Sequence, residues 1–161
     1  MTDTIENKGI LSPNFTKVPV IDVREFNDEY FKGWGSIFRI IHENLDKCSN
    51  KKIVVVDCYQ GVFFEELLKI FSENLRPDLV ITSSDYFLSP EDIQRITWPD
   101  VTDDRIFGYL TRLNIFNLIN AGQLESCRER VAGLSRGTIL VFGYGASLVA
   151  ENPSLLIYAD M

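Results

Sequence analysis

One histidine and three cysteines among 161 residues set the first limits on function. A zinc site or a catalytic triad needs imidazoles or thiolates brought together, and His42 has no second histidine to join it. Cys48, Cys58 and Cys127 are odd in number and lack CxxC spacing. Neither a disulfide framework nor a zinc knuckle is expected, and a reducing compartment suits the chain. Basic residues are also scarce: 16 Lys and Arg stand against 23 Asp and Glu, for a net charge of −7 and a pI near 4.7. That balance opposes attraction to phosphate backbones and anionic membranes, and no basic run exceeds Lys51-Lys52. Neither nucleic acid nor a membrane is therefore expected as a partner. No apolar stretch approaches the roughly 18 residues that span a bilayer. The start MTDTIENKG has neither the basic flank nor the apolar centre of a signal peptide, so a cytoplasmic location is the expectation.

What is present is an ordinary globular composition, 45% hydrophobic and 24% charged, enough for one buried core and one domain. The chain is organised around Lys51 to Leu75, KKIVVVDCYQGVFFEELLKIFSENL. Ile53 to Val56 is a short β-branched run bounded by charges, which predicts a central parallel strand buried on both faces. Beyond Asp57 to Gly61, the positions Val62, Phe63, Leu67, Leu68, Ile70, Phe71 and Leu75 recur at helical spacing, opposite Glu65, Glu66, Lys69 and Glu73. A strand, a turn ending in glycine and a helix pointing back at that turn is the layout of a phosphate-binding loop. Asp57, Cys58, Tyr59, Gln60 and Gly61 are the loop's candidate binding residues. An intact loop reads GxxxxGK[ST], with lysine on the phosphate and a hydroxyl on magnesium. Here the lysine position holds Phe64 or a neighbour, and Glu65 and Glu66 follow, so the loop is degenerate.

Elsewhere the chain divides into an N-terminal extension, residues 1–32, and an α/β domain, residues 33–161. Val18 to Val23, with Pro19 near its start, reads as an edge strand, because proline cannot donate to a central ladder. A helix is expected from Ser36 to Lys47, capped by Ser36 and carrying His42 on a solvated face. Leu79 to Thr82 predicts a second strand after the break Arg76-Pro77-Asp78. Asp85 follows at its carboxyl end, where open α/β sheets bind ligands. It is a candidate general base or magnesium ligand, or else a local turn residue. Ser89-Pro90-Glu91-Asp92 predicts a helix start. Trp98 to Leu134 reads as helical, broken at Asp103-Asp104 and Gly122. Within it Arg105 and Arg112 are candidates to hold a phosphate, or form surface ion pairs. Thr138 to Phe142 and Leu155 to Ala159 complete the strands, separated by the turn Gly143-Tyr144-Gly145. The fold class is α/β, a three-layer αβα arrangement around a mainly parallel sheet. The sequence stops at Asp160-Met161, directly after a strand, which suggests a domain cut from a longer chain.

The pieces IVVVDCYQG, LVITSSDYF and TILVFGYGASLVAENPSLLIYADM, in that order, resemble the nucleoside and nucleotide kinase branch of the P-loop fold. More closely, DCYQGVFFEELL, the segment Thr102 to Thr111 and VFGYGASLVA to YADM are similar to the N-terminal kinase-like domain of long bacterial class I mannose-6-phosphate isomerase homologues. The similarity runs over about Trp34 to Met161. It implies a downstream cupin domain, absent here, whose zinc carries the isomerase chemistry in carbohydrate metabolism, and no cofactor is expected in the present residues. The partners it implies are that absent C-terminal domain and a small phosphorylated ligand. Three functions compete. The first is a non-catalytic or regulatory kinase-like domain of an isomerase-like protein. The second is a small-molecule kinase that binds MgATP at Asp57 to Gly61 and uses Asp85 as base. The third is an interaction module presenting Tyr59, Phe63 and Phe64.

Overall fold

The computed structural model describes residues 30–48, 50–104 and 106–160. The expected edge strand Val18 to Val23 and the candidate Arg105 lie outside the described residues. In chain order the elements are α1 (Trp34–Leu45), β1 (Lys51–Cys58), α2 (Phe64–Leu75), β2 (Leu79–Thr82), α3 (Pro90–Thr97), α4 (Ala121–Gly133), β3 (Gly137–Gly143) and β4 (Leu155–Ala159). The strands form one sheet in the order β2-β3-β1-β4, and every neighbouring pair is parallel.

Alternation along β1 and β3 builds the layers, because successive side chains in a strand point to opposite faces. Val54, Val56, Cys58, Leu140 and Phe142 pack with Phe38, Ile41 and Leu45 of α1 and Phe71 and Leu75 of α2. Val55, Ile139 and Val141, joined by Ile81 of β2, pack with Leu124, Cys127 and Val131 of α4. Helices thus cover both faces, and the three-layer αβα arrangement follows. Val54, Val55 and Val56 are fully buried, as expected for a central strand of a parallel sheet. Among the described residues, β4 is covered on one face only: Leu155, Ile157 and Ala159 join the α1 and α2 layer, whereas Leu156 and Tyr158 are exposed.

α1 begins two residues before the expected start. Gly33, at φ +81°, takes the cap position, and the Ser36 hydroxyl donates to the Lys32 and Gly33 carbonyls at 2.6 and 3.0 Å. Trp34 draws the helix forward by setting its ring 6.1 Å from Phe38 and 6.5 Å from Phe71. His42 is exposed on α1. At the start of α3, Ser89 accepts the Asp92 N–H at 3.1 Å with Pro90 in the first turn, as its sequence predicts.

The helical reading of Trp98 to Leu134 is corrected. The described residues from Trp98 to Asn114 are irregular, Ile115–Leu118 is a 3-10 turn, and α4 starts at Ala121. Polar side chains here bond the local backbone, which competes with helix formation. Asp104 accepts from the N–H groups of Ile106 and Phe107 at 2.8 and 3.0 Å, and the Thr102 hydroxyl donates to the Phe107 carbonyl. Gly122 does not break α4. It lies in the first turn, where Asn120 caps its N–H and that of Gln123, both at 3.1 Å.

Phe142 joins the layers most directly, fully buried with ring centroids 5.0 Å from Phe64 and 6.2 Å from Phe71. Phe142→Ala is expected to cost about 3–5 kcal/mol through lost burial and the cavity left behind. Urea unfolding should show a lower midpoint with an unchanged slope.

Candidate functional site

A cleft of about 1020 Å³ opens at the carboxyl edge of the sheet. Its walls are the loop after β1 (Asp57 to Gln60), the turn after β3 (Tyr144 to Leu148), Phe87 after β2, and residues of the irregular segment including Asp100, Tyr109 and Asn114. The chain leaving β1 runs through α2 to β2, whereas the chain leaving the adjacent β3 crosses to β4 on the far side of β1, so these two neighbours send their connections in opposite directions. Such a switch point opens a crevice beyond the strand ends, where open α/β sheets bind ligands.

The floor is held by Asp57. Its Oδ1 accepts the Gly145 N–H at 3.0 Å, and its Oδ2 accepts the Ser147 N–H at 3.1 Å and the Ser147 hydroxyl at 2.5 Å. The turn after β3 presents its amides because Gly143 and Gly145 take φ of +127° and +66°. A nest of this kind attracts an anion, and here the anion is the protein's own carboxylate. A second layer of bonds braces the same turn. Ser83 Oγ accepts the Tyr144 N–H at 2.8 Å, and the fully buried Tyr86 donates its hydroxyl to the Tyr144 carbonyl at 2.9 Å. A Cβ on Gly143 would meet Ser83 Oγ at 1.9 Å, so only glycine fits there.

Burial, reinforced by the Asp57 charge, pushes the Cys58 thiol from 9.0 up to about 11. Burial also raises Tyr86 above the ordinary phenol value. Its bond with Ser83 opposes that rise, and the Asp57 charge adds to it. Both groups are therefore held neutral beside a carboxylate, and Cys58 is a poor nucleophile at neutral pH.

Of the expected loop residues, Asp57, Cys58, Tyr59 and Gln60 border the cleft. Gly61 supplies the turn at φ +106° and is not part of the wall. Tyr59 is exposed and its N–H extends the ladder to the Ala159 carbonyl at 2.8 Å, whereas Cys58 is buried. Phe64, grouped by sequence with Tyr59 and Phe63 as a surface, instead packs on Phe142 and Tyr144, with centroids 5.0 and 5.9 Å away. Phe63 alone of the two phenylalanines is exposed.

Asp85 stands outside the cleft wall. Its Oδ2 accepts from the Thr82 N–H and hydroxyl at 2.7 and 3.2 Å, closing a capping box, and its Oδ1 meets Arg130 at 3.3 Å. Arg112 is exposed beside a smaller recess that shares Asp100, Tyr109 and Leu113 with the main cleft. Among the described residues, no Lys or Arg borders the main cleft. Asp100 and Ser147 carry no signal of their role in the local sequence. Ser147 acts only through Asp57, 90 positions away. Zinc finds no donor set here: no group of three or more His, Cys, Asp and Glu side chains among the described residues is placed to hold a metal. Nor, among these residues, is any helix long and apolar enough to cross a membrane.

Two outcomes are expected from this geometry. Asp57→Ala should destabilise the fold by about 1–3 kcal/mol for each donor left unpaired at Gly145 and Ser147, while Asp57→Asn, which keeps one acceptor, should lose less; thermal melts of both compare them. The raised Cys58 and Tyr86 values give a pH dependence. Above pH 9.0 the unfolded thiol loses its proton before the native one does, so stability should fall as pH rises from about 9 through 11. Urea titrations across that window should show the decline, and Cys58→Ala should flatten part of it.

Among the curated proteins and the solved structures, none matches the chain. A family model described as a domain of unknown function does match, over residues 33–161, and the chain therefore belongs to the family DUF8485.

Proposed function

We propose that this is a non-catalytic kinase-like domain whose phosphate site is disarmed, serving a regulatory role in a mannose-6-phosphate isomerase-like protein. One observation carries the non-catalytic part. The carboxyl-edge cleft is bordered by Asp57 and Asp100 and, among its described residues, by no Lys or Arg. A triphosphate would meet like charge where transfer requires lysine, arginine or a metal held for it.

Two further features support the reading. β1, a short loop and α2 follow one another as in a phosphate-binding unit, while Phe64 turns into the core and Glu65 and Glu66 occupy the first helical turn. Asp85, which a working kinase would need as base, is bound to Thr82 and Arg130. The attachment to an isomerase rests on the likeness of DCYQGVFFEELL, Thr102 to Thr111 and VFGYGASLVA to YADM, and the isomerase chemistry would belong to a zinc domain beyond these residues. Within the Thr102 to Thr111 motif, Thr102 and Asp104 fold the loop on itself.

Isothermal titration with MgATP should give no binding heat. Gln60→Lys, an exposed change on the cleft wall, should create weak nucleotide binding by restoring one cation. Micromolar MgATP binding by the unaltered domain would overturn the non-catalytic reading. A folded Gln60→Lys variant that still ignores nucleotide would count against a phosphate-loop origin.

A further inference from the structure

We infer that the carboxyl-edge cleft is a binding site for a small organic cation, an ammonium group held over tyrosine rings and against the carboxylates of Asp57 and Asp100. This rests on the preceding reading that the cleft is not a phosphate site, and it names what the site takes instead.

Size and shape come first. At about 1020 Å³ the cleft is at the upper end of small-molecule pockets, and it lies where this class of sheet places its ligands. Among the described residues, the charged side chains that border it are Asp57 and Asp100. Asp57 has hydrogen-bond donors on both oxygens, yet those partners are neutral, so its charge is spread over dipoles without being cancelled. The upward shifts of Cys58 and Tyr86 include a contribution from that same charge. Asp100, partly exposed, makes no side-chain hydrogen bond or ion pair among the described residues.

Aromatic surface is the second element. Tyr59 and Tyr109 are 67% and 73% exposed, although both border the cleft. They come from two separate segments, the loop after β1 and the irregular stretch before α4. The face of an aromatic ring carries negative electrostatic potential and attracts a cation, most strongly where water is excluded. Two carboxylates and two tyrosines bordering one cleft favour an ammonium over a neutral or anionic ligand.

The test is an NMR titration of the 15N-labelled chain with choline, and in parallel with its uncharged isostere 3,3-dimethylbutanol, following the amides of Tyr59, Gly145 and Ser147. Choline should shift these resonances with saturation in the millimolar range, and the isostere should bind at least ten-fold more weakly. Asp100→Asn and Tyr59→Ala should each weaken choline at least three-fold. Choline binding should also weaken with added salt, since exposed charge pairs are screened. Equal binding of the isostere, or no shift with choline, overturns the inference. MgATP in a third titration separates the two readings. If it shifts the same amides, the disarmed-site reading fails and takes this inference with it. If MgATP and choline are both silent, only the inference fails.

Discussion

The carboxylate of Asp57 accepting the amides of Gly145 and Ser147 is the contact on which the ligand-facing edge depends. It fastens the end of the central strand to the turn after β3, and through Tyr144 that turn is fastened to Ser83 and Tyr86 after β2. Three strand ends are thereby held by side chains at the one place where the sheet ladder has run out. Hydrogen bonds to a charged acceptor are worth about 1.5–3 kcal/mol each, more than neutral ones. The geometry also dictates the glycines: positive φ at Gly145 aims its amide at Asp57, and Gly143 leaves room for Ser83.

The same contact shapes the chemistry of the cleft. An amide nest that suits a phosphate is filled from within, and the carboxylate that fills it leaves negative charge at the floor. Burial raises the neighbouring Cys58 thiol, and that charge adds to the rise. The wall opposite adds Asp100 and Tyr109.

The layers were largely legible from sequence, because burial writes its period into the chain. Val54 to Val56 read as a strand buried on both faces, and each of the four strands between Lys51 and Ala159 forms where its apolar run lies. The stretch from Trp98 to Leu118 was not legible. Its apolar residues, Trp98, Val101, Ile106, Phe107, Tyr109, Leu110 and Phe116 among them, are exposed and do not form the buried stripe of a helix. Local bonds from Thr102, Asp104 and Asn114 to the backbone decide its course instead. Asp85 illustrates the same limit at a single residue: its place after β2 suggested chemistry, while Thr82 and Arg130 engage both of its oxygens.

Sequence by itself determined the class of architecture and the absence of a lysine between Asp57 and Glu66, since both reside in residue type and short-range spacing. Tertiary structure decided the strand order β2-β3-β1-β4, the packing of Phe64 against Phe142 and the partners of Asp57. Those partners are 88 and 90 positions away along the chain. No local pattern encodes a contact at that separation. It exists only because parallel pairing of β1 with β3 brings Asp57 level with Gly143, within reach of the turn that follows.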